Sequence, residues 1–155
     1  MRKRKPKLRI LIPDPRYQDP IVSRFVNNLM ERGKKSTSYR IFYEAMDLVK
    51  ERTNENEHEL WEKAVTNATP HVEVRSRRIG GATFQIPTEI PANRKIAIGM
   101  KWIINYAKQR AGKSMADKLA AELIAAAKGE GAAVKKKEDT HRMAEANKAF
   151  AHFKT

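Results

Sequence analysis

The chemistry this chain can offer is concentrated in its cations. Arg75, Arg77 and Arg78 stand just before Gly80 and Gly81, and Phe84 follows. A guanidinium grips phosphate through a planar fork of N–H donors and also lies flat on nucleobases. An aromatic ring is a second stacking surface, and two bare glycines let backbone come close to a nucleic acid. Phe84 has an alternative use, anchoring its segment on the rest of the fold. Other cations gather elsewhere: Arg2, Lys3, Arg4, Lys5, Lys7 and Arg9 at the start, then Lys34 with Lys35. Arg94, Lys95, Lys101, Lys108, Arg110, Lys113 and Lys118 follow, and Lys135, Lys136, Lys137 and Arg142 come last. A binder of this kind needs many cations rather than one special residue, because its affinity comes from counterion release along a polyanion.

Enzymatic readings fail on spacing. Gly112-Lys113-Ser114 suggests a phosphate-binding loop, but the motif needs glycine at position 107, where Ala107 stands, and a strand before it, where the pattern is helical. Helix stop and helix cap account for those residues. Gly129 and Gly131 form a lone pair with no strand before them. His58, His71, His141 and His152 lie far apart without ligand spacing, and no cysteine is present. Trp61 and Trp102 fall on apolar helix stripes and read as core. No catalytic residue, metal or other cofactor is expected.

Bulk composition agrees. The chain of 155 residues carries 32 Lys and Arg against 18 Asp and Glu, a net charge of +14. Repulsion of that size opposes compaction until a polyanion neutralises it. Nucleic acid is the first candidate and an acidic membrane surface the second. No apolar run reaches spanning length, and Leu8 to Ile12, ended by Pro13, is too short for a secretion signal. A soluble cytoplasmic protein with no membrane partner is the expectation. Seven of the acids, Glu44, Asp47, Glu51, Glu55, Glu57, Glu59 and Glu62, cluster in residues 44–62. An acidic pole against basic faces implies an oriented binder.

The elements that must position these residues can be read from periodicity and punctuation. Residues 1–18 form a basic extended arm, broken by Pro6, Pro13 and Pro15, either disordered or ordering along phosphates. Asp19 caps a first helix with Pro20 at its first position and Gly33 as its stop, which puts Lys34 and Lys35 at a helix C-terminus. There the helix dipole would explain them, with phosphate contact as the sharper reading. A second helix covers about 37–52 and buries Ile41, Ala45, Leu48 and Val49. A third starts at the Asn56 cap and stops before Pro70. From residue 72 to 90 the period changes to two, and alternation around Gly80-Gly81 predicts a hairpin pairing Ile79 with Ala82, Arg77 with Phe84 and Arg75 with Ile86. A fourth helix begins at Asn93 and a fifth runs from the Ser114 cap to Gly129. A sixth, about 132–148, has a weak stripe of Val134, Met143, Ala146 and Phe150. Lys135 to Lys137 stand in its first turns, where the dipole disfavours cations, so phosphate is the better explanation than a solvated face. The expected fold is mainly α: one domain, residues 19–155, of six helices with a protruding two-stranded hairpin between helices three and four.

The stretch Val72 to Pro87, VEVRSRRIGGATFQIP, looks like the hairpin signature of bacterial small-subunit ribosomal protein seven. Phe25 to Lys35, FVNNLMERGKK, resembles that family's N-terminal motif, and so does Lys128 to Lys148, KGEGAAVKKKEDTHRMAEANK, toward the other end. The likeness runs in order along nearly the whole chain. It implies binding to the 3′ major domain of small-subunit rRNA early in assembly of the subunit head. It places the hairpin near exit-site tRNA and the messenger exit path. Arg75, Arg77, Arg78, Gly80, Gly81 and Phe84 would then lie near tRNA or rRNA, and the remaining cations named above would face rRNA. Ribosomal proteins nine, thirteen and nineteen, with eleven across the gap, are the implied neighbours. Some members of that family also repress translation of their own messenger, which makes the chain's own messenger a candidate partner by that likeness. The chain ends soon after Phe153, so contacts of a longer tail are not expected. The competing reading is a DNA-architectural protein with a β-ribbon arm.

Overall fold

In a computed structural model, which describes residues 10–153, three of the six helices begin on a side-chain cap. Asp19 accepts the N–H of Ile21 before α1 (Pro20–Leu29), and Asn56 that of His58 before α3 (Glu57–Ala68). Ser114 accepts that of Asp117 before α5 (Met115–Lys128). The other helices are α2 (Lys35–Thr53), α4 (Ala92–Gln109) and α6 (Ala132–Ala146), and a short 3-10 helix spans Lys148–Phe153. The strands β1 (Val72–Ile79) and β2 (Ala82–Glu89) form an antiparallel hairpin between α3 and α4. No helix is long and apolar enough to cross a membrane among the described residues. The cations Arg2 to Arg9 lie outside those residues.

Central to the packing is α5, which lies against α2, α3, α4 and α6. Its alanines Ala116, Ala120 and Ala126 let neighbours approach closely, while Leu119 and Leu123 fill the space between them with no exposed surface. At one end Phe25, Phe42 and Trp61 meet with ring centroids 5.5–6.1 Å apart, two of the pairs edge to face. Glu122 is also completely buried, on α5. It accepts the Ala133 N–H at 3.0 Å and the Arg110 Nε at 2.5 Å, so an anion sits at the start of α6. A Cβ on Gly131 would come within 3.0 Å of that carboxylate.

Several local expectations are corrected. The first helix stops at Leu29 rather than Gly33, because Arg32 and Gly33 take positive φ (52° and 75°) and reverse the chain. Lys34 and Lys35 therefore open α2 instead of closing α1, and the dipole no longer explains them. On α2 the fully buried residues include Phe42 and Met46, while Ile41 and Leu48 are only partly covered. The face of α6 that meets the core is Ala133, Val134, Thr140 and Ala144, leaving Met143 46% exposed. The helix ends at Ala146, and Phe150 belongs to the 3-10 turn.

Part of the stretch read as an arm is folded. Asp14 is fully buried and accepts N–H groups of Arg16 and Tyr17 at 3.0 and 2.9 Å, closing a turn around Pro15. It also accepts the Tyr43 hydroxyl at 2.6 Å. The Tyr17 ring stacks on His58 at 5.1 Å, and burial pushes the Tyr17 and Tyr43 hydroxyls above the usual phenol range. Ser23 Oγ donates to the Ile12 carbonyl at 2.8 Å. Residues 12–17 are thus tied to the helices rather than trailing from them.

Candidate nucleic-acid interface

The hairpin has the expected register, Ile79 opposite Ala82, Arg77 opposite Phe84 and Arg75 opposite Ile86. Gly80 and Gly81 hold φ of 56° and 90°, the turn that matches strand twist and that only glycine adopts freely. A two-stranded ribbon is marginal alone. This one is anchored at its base by Ile86 and Ile90, 2% and 3% exposed, and by Phe84, whose ring lies 5.3 Å from Phe150. Phe84 therefore holds the ribbon on the C-terminal turn. Arg75, Arg77 and Arg78 are exposed.

Glu73, which sequence reasoning passed over, organises the hairpin's base. Its carboxylate receives Arg75 on one oxygen, at 2.5–2.6 Å, and Arg94 of α4 on the other, at 3.1–3.3 Å. From Arg94 the helix carries a row of cations: Arg94, Lys101 and Lys108 recur every seven residues, so all three share one face of α4. That spacing was available in the sequence. The row covers about 21 Å at 1.5 Å per residue.

At its far end Lys108 reaches a cleft of about 520 Å³ between the N-termini of α2 and α5. Lys34, Thr37 and Ser38 line it from α2, and Lys113, Ser114 and Lys118 from α5. Two positive helix ends and these lysines face one concavity, which is the electrostatics an anionic ligand needs. Lys108 pairs with Glu31 at its rim, and that pairing holds the Glu31 carboxyl below its ordinary range. Arg52 does the same for Asp117, the third residue of α5. Lys35 projects over the Tyr39 ring at 5.8 Å. Gly112-Lys113-Ser114 follows a helix and supplies the cap of α5, as helix punctuation requires.

Not every candidate cation joins this track. Arg110 donates to the buried Glu122, so the fold itself accounts for it. Lys95 is half-buried beside Arg94. Lys135, Lys136 and Lys137 open α6, where Glu122 supplies the compensating anion, and Arg142 lies 4.0 Å from Asp139 on the same helix. The histidines are less scattered than their spacing suggested: the His71 N–H donates to His141 Nε2 at 3.1 Å. Burial first, then the neighbouring His71 and Lys137, hold the His141 imidazole below its usual range. Asp19, His58 and Glu62 bring one ligand atom each within 4.8 Å, but His58 is already stacked on Tyr17 and within 3.3 Å of Asp19.

The acids occupy a different part of the surface. Glu44, Asp47 and Glu51 line the outer face of α2, and Glu55 and Glu59 flank the turn into α3. Arg16 bridges Asp47 and Glu57 at 2.6 and 3.4 Å. The Glu57 carboxyl is held below its usual range by its own helix-start N–H, then by Lys50 and Arg16. That pole repels anions, whereas the α4 row attracts them.

Comparison with known proteins agrees with this architecture. Residues 1–148 match the family described as ribosomal protein S7p/S5e. The small ribosomal subunit protein uS7 of Cytophaga hutchinsonii is 62% identical over 154 residues, 99% of each chain. Those of Flavobacterium psychrophilum and Phocaeicola vulgatus are 60% and 59% identical over 157 residues, again 99% of each chain. With such matches along its length the chain belongs to the ribosomal protein S7p/S5e family, which is not a family of enzymes.

Proposed function

We propose that this protein binds the 3′ major domain of small-subunit rRNA in the cytoplasmic ribosome and nucleates assembly of the subunit head. The observation that carries the reading is the continuous track from Arg75 through Arg94, Lys101 and Lys108 to the cleft lined by Lys34, Lys113 and Lys118. Cations spaced along a helix suit a phosphate backbone, and the acidic pole at the α2–α3 turn orients the protein on it. Lys135 to Lys137, Arg142 and the arm cations Arg2 to Arg9 add phosphate contacts in the same assembly. Shape supplies the selectivity: the ribbon, with Arg77, Arg78, Gly80 and Gly81 toward its tip, enters a cavity that only folded RNA offers.

In this reading the hairpin points toward exit-site tRNA and the messenger exit path. The protein neighbours are ribosomal proteins nine, thirteen and nineteen, with eleven across the gap. The resemblance to the family supports these placements, and the relatives' names give the small ribosomal subunit as the setting.

The test is a salt-series titration against a fragment of the 3′ major domain, with a mixed-sequence RNA of equal length and a bent DNA duplex as competitors. With about six phosphates neutralised, affinity falls by roughly a factor of 10³ between 50 and 200 mM salt. Preference for the rRNA fragment with that steep slope is the expected result. Equal binding to all three overturns the assignment, and preference for bent DNA favours the architectural alternative.

A further inference from the structure

Glu73 is an acid inside the most basic strand of the molecule, and its side chain is only 15% exposed. It holds two arginines from different elements. Arg75 Nε and Nη2 both point at one carboxylate oxygen, at 2.6 and 2.5 Å. Arg94 Nε and Nη2 point at the other, at 3.3 and 3.1 Å. Each guanidinium has five N–H donors in a rigid fork, so after two are used three remain. The arginine side chains are 56% and 55% exposed, so those remaining donors are accessible.

We propose that Glu73 is a positioning residue for RNA binding, locking Arg75 of the hairpin and Arg94 of α4 side by side so that their outer edges form a two-guanidinium site for backbone phosphate. This deepens, and rests on, the RNA-binding reading above. A free arginine samples many rotamers and must be ordered when phosphate arrives, whereas one already fixed by a carboxylate is ordered beforehand. The same contact joins the ribbon to the first turn of α4, so the two cations keep a constant separation.

The sign of the effect separates this role from simple charge. Glu73→Gln makes the protein more positive by one, which by Coulomb attraction alone tightens RNA binding by about two- to threefold. The positioning role requires the opposite: about five- to tenfold weaker binding, from the renewed cost of ordering two arginines. The experiment titrates the full chain and its variants with the 3′ major domain rRNA fragment, with circular dichroism to confirm folding. A second variant, Arg94→Lys, keeps the charge but loses the fork, and is expected to weaken binding to a similar degree. In an Arg75→Gln, Arg94→Gln background, Glu73→Gln should have no further effect, because the groups it positions are gone. Unchanged or tighter binding by Glu73→Gln, wild-type affinity in Arg94→Lys, or an undiminished loss in the double background would each overturn the proposal. If Glu73→Gln does not fold, the Arg94→Lys result decides. Failure of the unaltered protein to prefer rRNA instead refutes the RNA reading, and this proposal with it.

Discussion

Replacing Lys101 by alanine takes away the middle cation of the α4 row while leaving the helix a residue that favours it. Lys101 is exposed and stands seven residues from both Arg94 and Lys108. Each gap is about 10 Å along the helix, roughly one Debye length at 0.1 M salt, so the three cations act almost independently. One neutralised phosphate adds about 0.7 to 0.9 to the slope of log affinity against log salt. Losing it weakens rRNA binding about five- to eightfold at 0.1 M salt relative to 1 M, where the difference vanishes. The comparison is Lys63→Ala, an equal charge change on α3 beside Glu59 and Glu55. Filter-binding isotherms at five salt concentrations give both slopes. We expect Lys101→Ala to flatten the slope by nearly one contact and Lys63→Ala to leave it within error. Equal flattening by both would refute the track, because it would mean that net charge, not its placement, drives binding.

Other outcomes follow from the interior. Glu122→Ala strands the Ala133 N–H and frees Arg110 from its partner; since Arg110 is 34% exposed and can turn to water, the loss is about 2 to 3 kcal/mol, read by urea unfolding, with Glu122→Gln milder. A wild-type midpoint for Glu122→Ala would show that the carboxylate is not integral to the start of α6. The hairpin's base should loosen in acid. The folded His141 titrates below the ordinary 6.5, so the unfolded chain binds the proton first. Its stabilising contribution is complete above pH 6.5 and is lost as pH falls toward the folded value, because a protonated Nε2 cannot accept the His71 N–H. Amide exchange at His71 that is insensitive to acid would contradict this.

Much of this molecule was legible because the signals were local. Asp19, Asn56 and Ser114 cap helices through contacts two or three residues away, which any chain with that spacing makes. The hairpin register followed from Gly80-Gly81 and the period of two, since the turn and the buried face specify the same pairing. Where local signals were weak, reading went astray. Gly33 resembled a helix stop, yet the reversal also involves Arg32 at positive φ, and the helix ended four residues before Gly33. On α6 too few apolar residues marked the inner face, so Met143 was placed inward, whereas the helix turns Ala144 inward beside His71 and Val72 at the hairpin's base.

By itself the amino-acid sequence determined the helices, the ribbon and its register, the excess of cations and the absence of catalytic spacing, because each depends on residues within about one turn or one strand pair. Only the tertiary structure decided which charged groups lie together. Glu73 meets Arg94 across 21 residues, Lys108 meets Glu31 across 77, and Lys34 faces Lys118 over a cleft made by two helix starts. Those meetings depend on how α2, α4 and α5 pack around their buried leucines and alanines, and packing geometry is a property of the assembled core that no short window of residues contains.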